Sequence, residues 1–188
     1  GHLTDTVAGC YEAYPSASCF GNPKANEYRE DIYVGYRWFE TFHREQVRYP
    51  FGYGLSYTSF TVTGTHTDPL GFRAEVTNTG KHPGKAVVML FVEKPCGVLG
   101  NPARELVAFG KTRLLSPGQS QSLSFSVTEY QLSSYDDSGL TGHKTCYVLQ
   151  QGAYRFYCGE NVRDTQFIGD YMIPELRVLR SLSEACAP

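Results

Sequence analysis

The sequence is poor in several features, and each shortage closes a class of function. The longest apolar run, Ala86 to Val92, is far below the ~20 residues a membrane helix needs. Lys and Arg number 17 against 19 Asp and Glu, a net charge of −2, and no basic stripe exists to neutralise phosphates. Nucleic acid is therefore not an expected partner. No Cys-x-x-Cys occurs, and His43, His66, His82 and His143 are scattered in polar contexts, so no metal site is expected. The glycines Gly35, Gly52 and Gly54 make no phosphate cradle, because no Gly-x-Gly-x-x-Gly follows a strand. Ser56 and Ser59 lack a nucleophile elbow. The residues thus give no cofactor and no catalytic group. No Asn-x-Ser/Thr sequon is present, and the opening Gly-His-Leu-Thr-Asp-Thr has neither a basic nor an apolar leader region. The sequence reads as a piece of a longer polypeptide.

Six cysteines stand at irregular spacing: Cys10, Cys19, Cys96, Cys146, Cys158 and Cys186. A chain of 188 residues, 41% hydrophobic, can build a core without crosslinks. Free, mostly buried thiols are expected, which suits a cytoplasmic protein, with secretion left open. Any bridge would join Cys10 with Cys19, or Cys146 with Cys158 across neighbouring strands.

What is present is period-two alternation. Phe60, Val62 and Gly64 alternate with Thr61, Thr63 and Thr65, and Phe72, Ala74 and Val76 alternate with Arg73, Glu75 and Thr77. Ala86–Glu93 is a nearly continuous apolar strand, as at the centre of a sandwich. Leu106–Leu114 reads as another strand. Leu123, Phe125 and Val127 alternate with serines, and Glu129–Tyr135 holds a short helical turn. Tyr147–Gln150 and Ala153–Cys158 flank Gln151-Gly152, a hairpin signal. Near the end, Leu176 and Val178 favour a strand over a helix, followed by a loose tail. About seven strands with no crossover helix predict an antiparallel β-sandwich of the immunoglobulin or fibronectin type III kind.

Residues 1 to about 29 show no period and read as an irregular covering segment. Tyr28–Phe39 could be a short strand or a helical turn, and Glu40–Arg48 reads as a polar connector. Two aromatic runs follow one another here, Glu-Asp-Ile-Tyr-Val-Gly-Tyr-Arg-Trp-Phe-Glu (30–40) and Tyr-Pro-Phe-Gly-Tyr-Gly-Leu-Ser-Tyr-Thr-Ser-Phe (49–60). Pro50, Gly52 and Gly54 prevent regular structure in the second run, yet its rings carry enough apolar surface to be buried. It reads as a rigid connector docking two packed units.

These runs, with Val76-Thr-Asn-Thr-Gly80, Arg104-Glu-Leu106, Leu115-Ser-Pro-Gly118 and Gly152-Ala-Tyr-Arg-Phe-Tyr157, resemble glycoside hydrolase family 3, the β-glucosidase and β-xylosidase family. The resemblance covers nearly the whole chain. It implies that residues 1–55 are the trailing end of an α/β sandwich domain plus an interdomain linker. Residues 56–188 would be the fibronectin type III-like β-sandwich with its tail. It also implies a parent that hydrolyses terminal β-D-glucosides or related β-glycosides, whose catalytic barrel and α/β sandwich domains would be this segment's partners. Neither catalytic carboxylate of the family falls on a matching position, so no catalytic residue is assigned.

Tyr33, Tyr36, Arg37, Trp38, Phe51, Tyr53 and Tyr57 are the candidate domain-docking residues. Tyr33, Tyr36, Trp38 and Phe39 could instead form a sugar-stacking platform, and the chain an autonomous carbohydrate- or surface-binding module. Arg37 could pair with a carboxylate of another domain or be an ordinary surface arginine. Asp136 and Asp137 are adjacent in a Gly/Ser-rich loop and read as a solvated turn with Asp capping the backbone.

Overall fold

The structure is a computed structural model that describes residues 1–183 and 185. Its centre is a two-layer sandwich. One layer holds β3 (Phe60–Asp68), β4 (Gly71–Asn78) and β7 (Ser120–Ser126), in the order β3-β4-β7. The other holds β5 (Val87–Glu93), β6 (Glu105–Lys111), β10 (Gly152–Gly159) and β11 (Thr165–Ile173), in the order β11-β10-β5-β6. Every pairing between these strands is antiparallel. The alternation read in the sequence sets the faces: Phe72, Ala74 and Val76 are buried while Arg73 and Glu75 are exposed. Across the layers they meet Val88, Leu90, Val92, Phe156 and Cys158. The Phe72 and Phe156 rings lie 4.4 Å apart, joining the two sheets. Gly64 sits where the layers come closest; a Cβ there would lie 2.7 Å from Ile168 and 2.8 Å from Cys158.

The Val76–Gly80 motif has a physical reason. Asn78 is fully buried, and its side chain satisfies several groups at once. Its amide donates to the carbonyls of His82 and Leu115, both at 2.8 Å. Its oxygen accepts from the Thr58 hydroxyl at 2.8 Å and the Gly80 N–H at 3.0 Å. Three loops are thereby pinned to the end of β4.

A third sheet lies outside the sandwich, in the order β12-β9-β8, from β12 (Arg177–Ser181), β9 (Cys146–Leu149) and β8 (Ser134–Asp136). It follows α2 (Glu129–Leu132), whose start is closed by a reciprocal Thr128–Gln131 capping box. This sheet corrects two expectations. Gln151-Gly152 is not a hairpin turn: β9 pairs with β8 and β12, while β10 pairs with β5 and β11, so the chain changes sheets there. The strand Thr165–Ile173 carries no clean alternation and was not expected; its register with β10 slips beside Gly169, at φ 147°. The expected strand near Val178 is present as β12.

Asp136 caps backbone N–H groups as expected, but its surroundings are a further correction. It is completely buried, covered by its own loop, and is not solvated. Its carboxylate accepts from the N–H groups of Gly139, Leu140 and Thr141 and from the Thr141 hydroxyl, at 2.6 to 3.0 Å. Burial pushes the carboxyl up, but these donors together outweigh it and hold it down at about 2. Asp137 next to it is exposed.

The five described cysteines are free thiols, three of them buried; Cys186 lies outside the described residues. Cys19 donates to the carbonyls of Ser16 and Glu27 and is not bonded to Cys10. Cys146 and Cys158 lie in different sheets and do not bridge.

Residues 1–55 wrap one side of this body. β1 (Val7–Ala8) pairs with β2 (Val47–Tyr49), and α1 (Tyr36–Phe42) lies between them in sequence. The expected polar connector Glu40–Arg48 is instead divided between the end of α1, a turn and β2. Among the described residues no helix is long and apolar enough to cross a membrane.

Candidate functional site

Strand β5 is buried on both faces, which explains its continuous apolar run. Val88, Leu90 and Val92 face the sandwich core. Met89 and Phe91 face outward, yet they are 6% and 0% exposed. What covers them is the aromatic segment. The Tyr36 ring stacks on Phe51 at 4.6 Å, and both rings meet Phe91 edge-on at 6.2 and 6.3 Å. Edge-to-face and offset contacts are the favoured geometries of aromatic pairs. Val162, Leu106 and Tyr157 complete the cluster.

Polar contacts fix the register of this seam. The Tyr36 hydroxyl accepts from the Leu106 N–H at 2.8 Å, and the Val162 N–H donates to the Phe51 carbonyl at 3.1 Å. Gly52 follows at φ 83°, and a Cβ there would lie 2.9 Å from the Asn161 backbone. Only glycine fits that combination of left-handed backbone and close approach.

One side of the seam carries a charge cluster centred on buried Glu40. Glu40, in α1, accepts from Arg163 at 2.7 Å and Arg44 at 3.0 Å, while Arg163 also donates to the Arg44 carbonyl at 2.7 Å. Just past the end of β5, Lys94 is buried and paired with Glu105 at 3.1 Å; it also donates to the Ser133 carbonyl at 3.0 Å. Burial pulls the Lys94 ammonium down, against the opposing pull of Glu105. Glu93 accepts from Arg104, Arg155 and Tyr157, and Arg104 lies 3.6 Å from the centre of the Tyr157 ring. Burial works to raise the Glu93 carboxyl, but those partners prevail and it is lowered.

The sequence-selected residues divide among different surroundings. Tyr36 and Phe51 form the seam. Arg37 lies 3.8 Å from Glu105, at the edge of the Lys94 pair. Tyr33 and Trp38 both pack on Phe42, at 4.8 and 5.0 Å. Trp38 also meets His43 at 5.3 Å and lines a shallow cleft of about 580 Å³ with Tyr11, Tyr14 and Gln46. Its buried indole N–H has no acceptor among the described residues. Tyr53 packs on Tyr49 at 5.0 Å, and its carbonyl accepts from Leu3. Tyr57 stands apart, 97% exposed, next to Leu55 at 79%. Phe39 is buried and meets Tyr14 edge-on at 5.4 Å, and Tyr36 lies in the seam, so Tyr33, Tyr36, Trp38 and Phe39 do not form one flat platform.

Sequence reasoning missed the receiving half of the seam: Met89, Phe91, Val162 and the Glu40–Arg163 pair. The signal was present in β5. A strand of an antiparallel sheet with one solvated face alternates, and this one does not.

For chemistry, retaining glycoside hydrolysis needs two free carboxyl groups about 5–5.5 Å apart across a pocket. Glu40, Glu93, Glu105, Glu129 and Asp136 are each tied to the partners named here or, for Glu129, to Arg177 and Tyr171. Among the described residues no cluster of three or more His, Cys, Asp or Glu side chains could hold a metal ion.

Residues 86–162 match the model of the fibronectin type III-like domain. The whole chain is 43% identical over 191 residues to a β-glucosidase of Ruminococcus albus, of which it spans 20%. It overlays on all of its length with a β-glucosidase of Paenibacillus barengoltzii, with TM-score 0.95, 47% identity and 22% of that chain covered. The chain belongs to glycoside hydrolase family 3, as the part holding its fibronectin type III-like domain. A family 3 β-glucosidase of Bifidobacterium adolescentis overlays it with TM-score 0.77 at 25% identity, again over 100% of this chain and 28% of the other. The chain thus spans about a fifth of the curated relatives' length. The antiparallel β-sandwich expected from the sequence is present.

Proposed function

We propose that this segment is the non-catalytic brace of a β-glucosidase that removes terminal β-D-glucosyl or related units. In this reading residues 1–55 carry the end of an α/β sandwich domain and its linker. The fibronectin type III-like sandwich behind them holds that linker in one position relative to the catalytic barrel. The reading is carried by the seam: Tyr36 and Phe51 close the outer face of β5, so the linker and the sandwich move as one body. Two further features support it. Val34, Leu55 and Tyr57 remain exposed, and the Trp38 indole N–H has no acceptor among the described residues. The free thiols fit a reducing, cytoplasmic setting.

The test uses the full-length enzyme and the chain. Hydrolysis of an aryl β-glucoside by the chain alone is expected at background. In the full-length protein, Tyr36→Ala and Phe51→Ala should lower the melting temperature and the half-life of activity together. Unchanged values for both substitutions contradict the bracing role, as does hydrolysis by the pure chain.

A further inference from the structure

The third sheet carries an aromatic group that neither the core nor the seam uses. Its register places Tyr135 of β8 opposite Tyr147 of β9, and Tyr147 opposite Arg180 of β12. Residues aligned in this way across antiparallel strands share a face. Cys146 and Val148, on either side of Tyr147, are buried, so Tyr147 points the other way, outward. Tyr130 of α2 completes the group. Its ring lies 4.9 Å from that of Tyr147, and the Tyr135 ring lies 5.1 Å away on the other side. Tyr130 and Tyr135 are 48% and 42% exposed.

We propose that this tyrosine cluster is a binding surface for a neutral glycan, a chain of β-linked glucose units. A phenol ring offers its face to the axial C–H groups of a pyranose and its hydroxyl to the sugar's hydroxyls. Tyr147, with Tyr130 and Tyr135 each packed against it, presents both chemistries on one patch. Tyrosine also loses little conformational freedom on binding, having two side-chain torsions. Ring contacts and a sheet backbone hold the cluster in place before any ligand arrives, which lowers the cost of binding. The one charged side chain in the row is Arg180, too little for a polyanion, whose affinity grows with the number of phosphates neutralised. The rings are tilted by 52° and 48° to one another, so they form a ridge and not a flat floor. A ridge grips one or two sugar units from different sides, which predicts weak, chain-length-dependent binding. The choice of a β-glucan rests on the bracing reading above; the choice of a pyranose glycan does not.

Native affinity electrophoresis of this chain in gels containing soluble mixed-linkage β-glucan tests the proposal, with dextran as the α-linked control. The chain should be retarded by the β-glucan and less so by dextran. Tyr147→Ala and Tyr135→Ala should each weaken retardation by about tenfold. Tyr147→Phe, which keeps the ring, should retain most of it, and Tyr28→Ala, outside the cluster, all of it. Circular dichroism of each variant separates lost binding from lost folding. No retardation of the folded chain overturns the proposal, as does equal retardation of wild type, Tyr135→Ala and Tyr147→Ala. Equal retention on dextran overturns the β-linkage. A concentration-dependent dimer in sedimentation that Tyr147→Ala abolishes would make the patch a contact between copies, and the proposal fails. None of these substitutions touches the seam, so either result leaves the bracing reading to its own test.

Discussion

The sandwich and the segment before it are stabilised by the same apolar burial, but they write it into the sequence differently. In β3, β4 and β7 each strand supplies its own alternation, and the buried face can be counted off every second residue. In residues 30–55 no period exists; the half-buried rings Tyr36 and Phe51 are set by a helix of about two turns and a Pro-Phe-Gly turn. The first arrangement is local, so it survives inspection of any single strand. The second is defined by what it covers, the outer face of β5. The comparison teaches that a linker can be as specific as a core if a receiving surface is built for it.

The comparison is broken most severely at Phe91, which belongs to the sheet but is buried by the linker. Phe91→Ala should destabilise the chain by about 4 kcal/mol, read from urea unfolding, because a fully buried aromatic ring leaves a cavity. A loss near zero would mean that the linker does not cover this face in solution. Phe51→Ala attacks the same contact from the linker side. It should cost about 2–3 kcal/mol, less than Phe91 because Phe51 is only half-buried. Gly52→Ala should cost about 2 kcal/mol through a strained left-handed backbone and the close Asn161 contact. A neutral result there would show the turn to be adaptable, unlike the strands.

Acid sharpens the contrast from the third sheet. The Asp136 carboxyl is held at about 2, below its ordinary 3.8. Its contribution is therefore complete above about pH 4 and is lost as pH falls through about 2, because protonation there opposes the folded state. Asp136→Asn should flatten that acid limb in a stability–pH series; an unaltered slope contradicts the donor cage. The smallest expected effect is at Phe109, which pairs with Met89 on the same outer face but is 70% exposed. Phe109→Ala should change stability by less than about 0.5 kcal/mol. Together with Phe91→Ala it maps where the linker's cover ends.

Much of the fold was legible because alternation is a local signal. β4 matches its expected span, the alternation from Phe60 to Thr65 found β3 but not its last three residues, and the Ser116-Pro-Gly118 turn shows its left-handed glycine at φ 80°. The sheet assignment of β9 and β10 was not legible. A Gln-Gly pair between two strands looks like a hairpin whether the strands pair or part company, and the choice is made by distant β5 and β12. Strand β11 escaped notice because Gly169 and Asp170 interrupt its pattern at a register slip. Asp136 looked solvated because its loop is polar, and only the folded loop turns those polar groups inward as donors. In the site, ring density pointed to Tyr36 and Phe51, which pack on each other and on Phe91. It could not tell them from Tyr57, whose ring has the same chemistry but stands in solvent.

Trp38 is the only tryptophan, and it lies in the linker segment, while far-UV circular dichroism reports mainly on the strands of the sandwich. Urea unfolding followed by both signals on one sample asks directly whether linker and sandwich form one cooperative body. The account predicts superimposable transitions with a single midpoint. Loss of the Trp38 signal at clearly lower urea, with the strand signal intact, would show the rings to be a loose strap and contradict it.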